Sequence, residues 1–300
     1  MKLNSLHVLL TYQCNYECDH CFVWGSPKQS GVFTLAQLDN VFRQALAVPT
    51  IGEFYFEGGE TFIYHPILVK AVWHAHDLGF ATGIVTNGYW AESVEDAVVW
   101  LRPLRDAGLD RIEISYDPLH GNPETEPARH PGMEAARRLG VPANLITVDL
   151  PASYRDPETA VPGEPLIGGD VMHRGRAAVK LTDGLPRQPW DSFTRCPYEA
   201  LADPSRIHLD PFGNLHLCQG VAMGNVWERP LAQIIDEYNP ETHPIAGPLL
   251  AGGPTELINR YNLSHEDGYV DACHLCYSAR EDLRVYFPQI LTPDQMYGVA

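Results

Sequence analysis

The sequence predicts an α/β protein built on a mainly parallel sheet. Three observations predict it. Short apolar runs of strand length alternate with amphipathic stretches of helical period through the first half of the chain. The unusual polar motifs fall just after those runs, at the carboxyl ends of the strands, where parallel sheets collect their chemistry. From Leu150 to Pro189 the alternation stops in a proline- and glycine-rich connector, and a second part with a different pattern follows.

The first strand is His7 to Thr11 (HVLLT), and a cysteine-rich loop follows it. Thr34 to Ala47 has apolar residues at helical spacing, with a threonine placed to cap it. Glu53 to Glu57 (EFYFE) is the second strand. Pro66 to Leu78 is a helix stopped by Gly79. Ala81 to Thr86 is the third strand, and Glu92 to Ala107 a helix that Pro103 bends or interrupts. Arg111 to Tyr116 is the fourth strand, Gly132 to Leu139 a helix, and Asn144 to Asp149 the fifth strand. Such units build a parallel sheet with right-handed crossovers. The connector allows a short helix near Val171 to Val179. Beyond it, Arg206 to Asp210 and Leu215 to Cys218 read as a hairpin around Gly213-Asn214. Leu231 to Tyr238 is a helix, and Asp271 to Phe287 carries a CxxC and a further helix.

The composition bounds the function. Three hundred residues, 45% apolar and 20% charged, suit a globular chain with a substantial core. A formal charge of −17 makes a poor general ligand for a phosphate backbone, so bulk nucleic-acid binding is not expected. No apolar run approaches a membrane span. The apolar stretch ending at Leu10 is too brief for a signal segment and lacks a small-residue cleavage site, so a cytoplasmic chain is expected. The seven cysteines, in two tight clusters and two single positions, argue for metal binding over disulfides.

Cys14, Cys18 and Cys21 lie in one loop after the first strand. Thiolates favour iron–sulfur clusters, zinc or copper(I). A cubane cluster is commonly held by four cysteines, so three leave one iron open to a ligand from outside the protein. A zinc site would need a fourth protein ligand, or water if catalytic. His20 is nearby, but wrapping one ion with all four residues would strain so short a loop.

The spacing Cys14-x3-Cys18-x2-Cys21 after a first strand resembles the signature of the radical S-adenosylmethionine (radical SAM) enzymes. The resemblance implies a partial (β/α)6 TIM-like barrel over about residues 5 to 180. It implies a [4Fe–4S] cluster on the three cysteines, with S-adenosylmethionine on the open iron. Its reductive cleavage gives a 5′-deoxyadenosyl radical that abstracts hydrogen from substrate. Glu57-Gly58-Gly59-Glu60 resembles the family's GGE motif, which receives the methionine amino group. Glycines let backbone carbonyls approach a ligand, and a carboxylate accepts from an ammonium. Thr86-Asn87-Gly88 resembles the motif that meets the ribose and carboxylate. Ser115 and Asp117 are similar to polar cofactor-binding residues on the fourth strand, and His20 to the residue whose ring lies against the adenine. Arg174-Gly175-Arg176-Ala177 resembles a GRA motif whose arginine reaches the methionine carboxylate, and register favours Arg176. The resemblance also implies an external electron donor such as flavodoxin or ferredoxin.

Cys196, Cys218, Cys273 and Cys276 remain. A cysteine after a hairpin and a CxxC opening a helix resemble a shortened SPASM or Twitch domain, over residues 181 to 300, after a radical SAM barrel over residues 1 to 180. Four cysteines suit one fully ligated auxiliary [4Fe–4S] cluster, which would support electron transfer or structure. They suit structural zinc as well, and spacing does not separate the two.

Many members of this branch lose a proton and an electron from the substrate radical, so a base near the barrel mouth is expected. His120 is the candidate, with Asp117 as alternative. His208 and Asp210, on one side of their strand by alternation, and His216 lie on the hairpin and are read first as solvated or hydrogen-bonded groups. All seven cysteines are assigned, which leaves none as a thiol hydrogen donor. The chain starts almost at the first strand, so no N-terminal leader-binding module is expected. The leading reading is an enzyme that oxidises or rearranges a small polar metabolite. A peptide or protein maturase is the alternative. An iron–sulfur or zinc scaffold without activity is the remote one, disfavoured because a carrier needs no GGE or TNG motif.

Overall fold

Strand β1 (Ser5–Thr11) lies inside a sheet rather than at its edge. It pairs in parallel with β2 (Glu53–Gly58) on one side. From there β3 (Ala81–Thr86), β4 (Arg111–Ser115) and β5 (Ala143–Ile146) continue in parallel. The computed structural model describes residues 2–120, 130–148 and 171–299. Most of the connector lies outside the described residues, as does Asp149 at the end of the fifth predicted strand.

The helices match the apolar spacing. Helix α1 (Leu35–Leu46) begins with a capping box: the Thr34 side chain accepts from the Gln37 amide, and Gln37 Oε1 accepts from the Thr34 amide. Such a cap is worth about 1 kcal/mol. Helix α2 (His65–Asp77) precedes β3, α3 (Val94–Asp106) precedes β4, and α4 (Pro131–Leu139) precedes β5. Pro103 sits inside α3 without ending it. Leu6 and Val8 of β1 pair with Phe54 and Phe56 of β2, and Ile84 with Ile112. These residues form the face that packs on the helices. There Phe42 of α1 meets Phe54 edge to face at 4.9 Å, a geometry worth about 1 kcal/mol beyond its burial.

The second part of the chain joins the same sheet. A short helix, α5 (Arg176–Lys180), is followed by β6 (Gln188–Pro189) and then by β7 (Arg206–Leu209), which pairs in parallel with the free side of β1. β8 (Asn214–Cys218) and β9 (Val221–Asn225) add antiparallel strands, so the order is β5-β4-β3-β2-β1-β7-β8-β9. The predicted hairpin is present, with Gly213 at φ +91° in its turn. Its strand β7 ends at Leu209, so alternation does not carry to Asp210. That carboxylate turns inward and accepts from the Tyr12 hydroxyl and from Asn214, and it lies 3.1 Å from His216 Nε2. Helices α6 (Leu231–Glu237), α7 (Ala246–Tyr261) and α8 (Ala272–Leu283) cover this end, and β10 (Gly268–Tyr269) pairs with β6. No helix among the described residues is long and apolar enough to cross a membrane.

Candidate active site

The carboxyl ends of β1 to β4 open onto one cavity with about 610 Å³ of empty space. Cys14, Cys18 and Cys21 line it, together with His20, Gly58, Gly59, Thr86, Asn87, Ser115 and His120. Residues spread over 106 positions of sequence, from Cys14 to His120, thus meet because each follows a strand of one parallel sheet.

The loop is tied to the sheet by sulfur contacts. Cys14 Sγ accepts from the Tyr16 amide at 3.3 Å and from Asn87 Nδ2 at 3.7 Å, and Cys21 Sγ accepts from the Gly25 amide at 3.2 Å. Burial pushes the Cys14 thiol up to about 12 against the Tyr16 amide, and burial with the neighbouring thiols does the same to Cys18. A bound cation inverts this preference, because a coordinated thiol loses its proton.

Gly58 and Gly59 sit where no side chain fits. A Cβ on Gly59 would lie 2.2 Å from the Gln13 carbonyl oxygen, and one on Gly58, at φ +144°, 2.4 Å from that of Thr11. The glycines let β2 close against the start of the cysteine loop. Glu60 does not line the cavity. It is 1% exposed, and its carboxylate accepts from the Phe62 amide, the Thr86 hydroxyl and the Asn87 amide at 2.7–2.9 Å. Burial lifts it to about 7 against those donors. It ties the GGE turn to the TNG turn. Asn87 carries that link onward to Cys14 and Asn15.

His20, Asp117 and His120 come together. The His20 and His120 rings meet edge to face at 4.5 Å. His120 Nδ1 lies 2.8 Å from Asp117 Oδ2, and Asp117 also accepts from the amides of His120 and Val148. Burial works to raise Asp117, but the bond and charge of His120 bring it below the ordinary carboxylate range. Burial, with His120 beside it, lowers His20. Among the described residues, buried His20 Nδ1 has no hydrogen-bond partner. His120 and Ser115 face the cavity, while Asp117 stands behind His120.

Arg176 lies behind the loop. Its Nη1 donates to the Cys18 carbonyl and its Nη2 to the Gly25 carbonyl, both at 2.8 Å, while its amide donates to the Cys21 carbonyl. Its guanidinium lies 5.3 Å from the Trp24 ring. Gly175, at φ +60°, permits the approach, since a Cβ there would stand 2.7 Å from the Cys21 carbonyl. The guanidinium therefore holds the cysteine loop and does not line the cavity.

Two residues earlier, Arg174 faces the other four cysteines. Cys196, Cys218, Cys273 and Cys276 line a second, largely apolar cavity with Arg174, Glu199 and Arg280. Arg174 Nη1 donates to Glu199 at 2.6 Å and to Cys218 Sγ at 3.2 Å. Asp271 caps α8 and also accepts from the His173 amide. Burial raises Cys196, Cys273 and Cys276, the last to about 12. Trp24 of the first loop donates to the hydroxyl of Tyr277, the residue after Cys276. Sequence reasoning missed Glu199, Arg280 and His173, and it read Arg174 to Ala177 as a cofactor motif without its place between the two cysteine sets, because only the fold brings these residues there. It also left His7, Glu57 and His208 without a role. These three meet at the wall of the first cavity, and their signal was the alternation of β1, β2 and β7.

A probable GTP 3′,8-cyclase of Methanothermobacter thermautotrophicus is 34% identical over 122 residues, 40% of this chain and 37% of that protein. An S-adenosylmethionine-dependent nucleotide dehydratase of Pseudoalteromonas ulvae is 28% identical over 124 residues, 36% of this chain and 38% of that one. The matches thus span under two fifths of these relatives. The crystal structure of BtrN in complex with AdoMet and 2-DOIA superposes over 92% of both chains with a TM-score of 0.55, at 14% identity, and so shares the fold. The sequence matches the radical SAM superfamily over residues 8–159, just over half of its length, and the chain belongs to that superfamily.

Proposed function

We propose that this radical SAM enzyme acts on a small polar metabolite and carries a second, fully ligated [4Fe–4S] cluster in a SPASM/Twitch-like C-terminal part. The observation that carries the reading is the convergence of Cys14, Cys18 and Cys21 on the cavity walled by Gly58, Gly59, Thr86, Asn87, Ser115 and His120. When bound, the family's cluster and S-adenosylmethionine supply a 5′-deoxyadenosyl radical for hydrogen abstraction.

The residues present suit these groups. Among the described residues only two groups of three or more ligating atoms lie within 4.8 Å of one another, and neither contains a cysteine. A tetrahedral zinc–thiolate site needs sulfurs about 3.8 Å apart. The wider spread of both cysteine sets favours a larger inorganic group, and the N–H donors at Cys14, Cys21 and Cys218 suit bound thiolates. Arg174 and Arg280, both buried, offset negative charge in the second set.

The roles of the chain follow from position. Gly58 and Gly59 would let backbone approach the methionine moiety of the cofactor. Ser115, Asn87 and the backbone at Thr86 would offer hydrogen bonds to the cofactor, the Thr86 hydroxyl being engaged by Glu60, Gly88 and Trp90, and His20 would offer its ring edge and Nδ1. Glu60 and Arg176 hold the turn and the loop that do the binding. His120, with Asp117 holding its Nδ1, accepts a proton from substrate at Nε2. Glu57, Ser115 and His120 give a largely apolar wall the polar groups that a small polar substrate would meet. The names of the two curated relatives, which refer to nucleotides, agree with that class.

The test is iron counting with substrate-coupled turnover. Anaerobically reconstituted protein should hold about eight irons per chain, and Cys276→Ala about four. Four irons in the wild type, or zinc retained in the second set, contradicts the auxiliary cluster. Conversion of a peptide, with polar metabolites inert, would replace the metabolite reading with the maturase reading.

A further inference from the structure

Beside the first cysteine set, three ionisable side chains meet on one face of the sheet. His7 on β1 pairs in register with His208 on β7 and with Tyr55 on β2, and Glu57 is two residues beyond Tyr55 on the same face. Both imidazoles reach one carboxylate oxygen. His7 Nδ1 lies 3.2 Å and His208 Nε2 2.8 Å from Glu57 Oε1, and the three ligating atoms fall within 4.8 Å of one another.

The rings are held in place. Tyr55 stacks on His7 with centroids 5.0 Å apart, and His208 meets His7 at 5.2 Å with its plane tilted by 61°. Tyr55 lies over Gly83, where a Cβ would come within 2.5 Å of its ring, and Arg111 Nε donates to its hydroxyl at 2.6 Å. The cluster is reachable. Its side chains are 12–14% exposed, and Glu57 forms part of the wall of the cavity that holds Cys14, Cys18 and Cys21. Among the described residues, Glu57 pairs with no arginine or lysine. Its ion-pair partners are the two histidines.

We propose that His7, Glu57 and His208 bind a divalent transition-metal ion of the zinc(II) or iron(II) type in the cavity wall. Two imidazole nitrogens and one carboxylate oxygen are a donor set that such ions favour over calcium or magnesium. Convergence of both nitrogens on one oxygen leaves room for a single small ion in place of the two bridging protons. A divalent ion would also supply a positive charge beside a largely buried carboxylate that has no arginine or lysine partner among the described residues. Three protein donors leave further positions to water or to an oxygen of the substrate, so the ion would act as a Lewis acid that orients a hydroxyl, carboxylate or phosphate group. The proposal rests on neither the auxiliary cluster nor the substrate class.

The test is equilibrium dialysis of zinc(II) against reconstituted holoenzyme, with zinc and iron counted together and X-ray absorption recorded at the zinc edge. About one zinc per chain should bind beyond the iron, with imidazole and oxygen neighbours and no sulfur. His7→Ala and His208→Ala should each weaken zinc binding by about tenfold or more, with iron content unchanged. If a variant loses iron through misfolding, the wild-type spectrum decides alone. Sulfur neighbours, failure of the wild type to bind zinc, or equal uptake by wild type and the double variant overturns the proposal.

Discussion

Arg176 and Cys18 are 158 residues apart in sequence and are joined by a 2.8 Å hydrogen bond from Nη1 to the carbonyl oxygen. The same guanidinium reaches Gly25, so one buried cation sets the shape of the cysteine loop. Arg176→Ala removes both charge-assisted bonds and should cost about 3 kcal/mol. The loop's hold on iron should fall with it, several-fold in occupancy at a fixed iron supply. Arg176→Lys cannot form the fork and should restore little. Urea midpoints and iron counts check both. A variant with wild-type stability and full iron would contradict the clamp.

Gly59→Ala tests the closure of β2 on the loop. With a Cβ 2.2 Å from the Gln13 carbonyl oxygen, backbone must move. The expected cost is roughly 3 kcal/mol or more, with loss of S-adenosylmethionine binding. Gly52→Ala, where nothing among the described residues lies within 4 Å of the added atom, is the matched control and should be near neutral.

Arg174→Met separates the two cysteine sets. It removes the donor to Cys218 and the cation beside Glu199 while leaving Arg176 in place. Iron in the second set should fall, and iron in the first should remain. Iron counts combined with the spectrum of the reduced protein distinguish the two. Equal loss from both sets would mean that the segment His173 to Arg176 acts as one unit.

His243 gives the stability a pH dependence away from any cluster. Its Nδ1 accepts from the amides of Ile245 and Ala246 at the start of α7, and its Nε2 donates to the Ala222 carbonyl at 3.2 Å. Burial lowers it below the ordinary histidine range. The unfolded chain therefore binds this proton more readily, so the contribution is complete above the ordinary range and is lost as pH falls through it. His243→Asn keeps an acceptor near the helix start and removes the titration. Urea unfolding between pH 8 and 5.5 should show a shallower slope for the variant, and an unchanged slope would count against the assignment.

Much of the fold was legible in the sequence because strand and helix periods differ and motifs mark the strand ends. Strands and helices from His7 to Leu139 match within about two residues of the expected bounds. Helix α7 was not legible. Gly252, Gly253 and Pro254 interrupt it, and Gly253 adopts φ +66° to let the chain pass 2.2 Å, measured from a notional Cβ, from the Arg195 amide. The pairing of β7 with β1 was not legible either, because strand order across some 195 residues leaves no local signal. The same gap hid the meeting of His7, Glu57 and His208. In the cavity, motif order gave the residues, but it could not separate those that face the cavity, such as Gly59 and Asn87, from those that brace it, such as Glu60 and Arg176.

The central claim is that Cys14, Cys18 and Cys21 hold a cluster whose open iron serves S-adenosylmethionine. Anaerobically reconstituted protein, given dithionite and S-adenosylmethionine, should release 5′-deoxyadenosine and methionine in equal amounts, and Cys18→Ala should release neither above background. Release by Cys18→Ala at the wild-type rate would contradict the account.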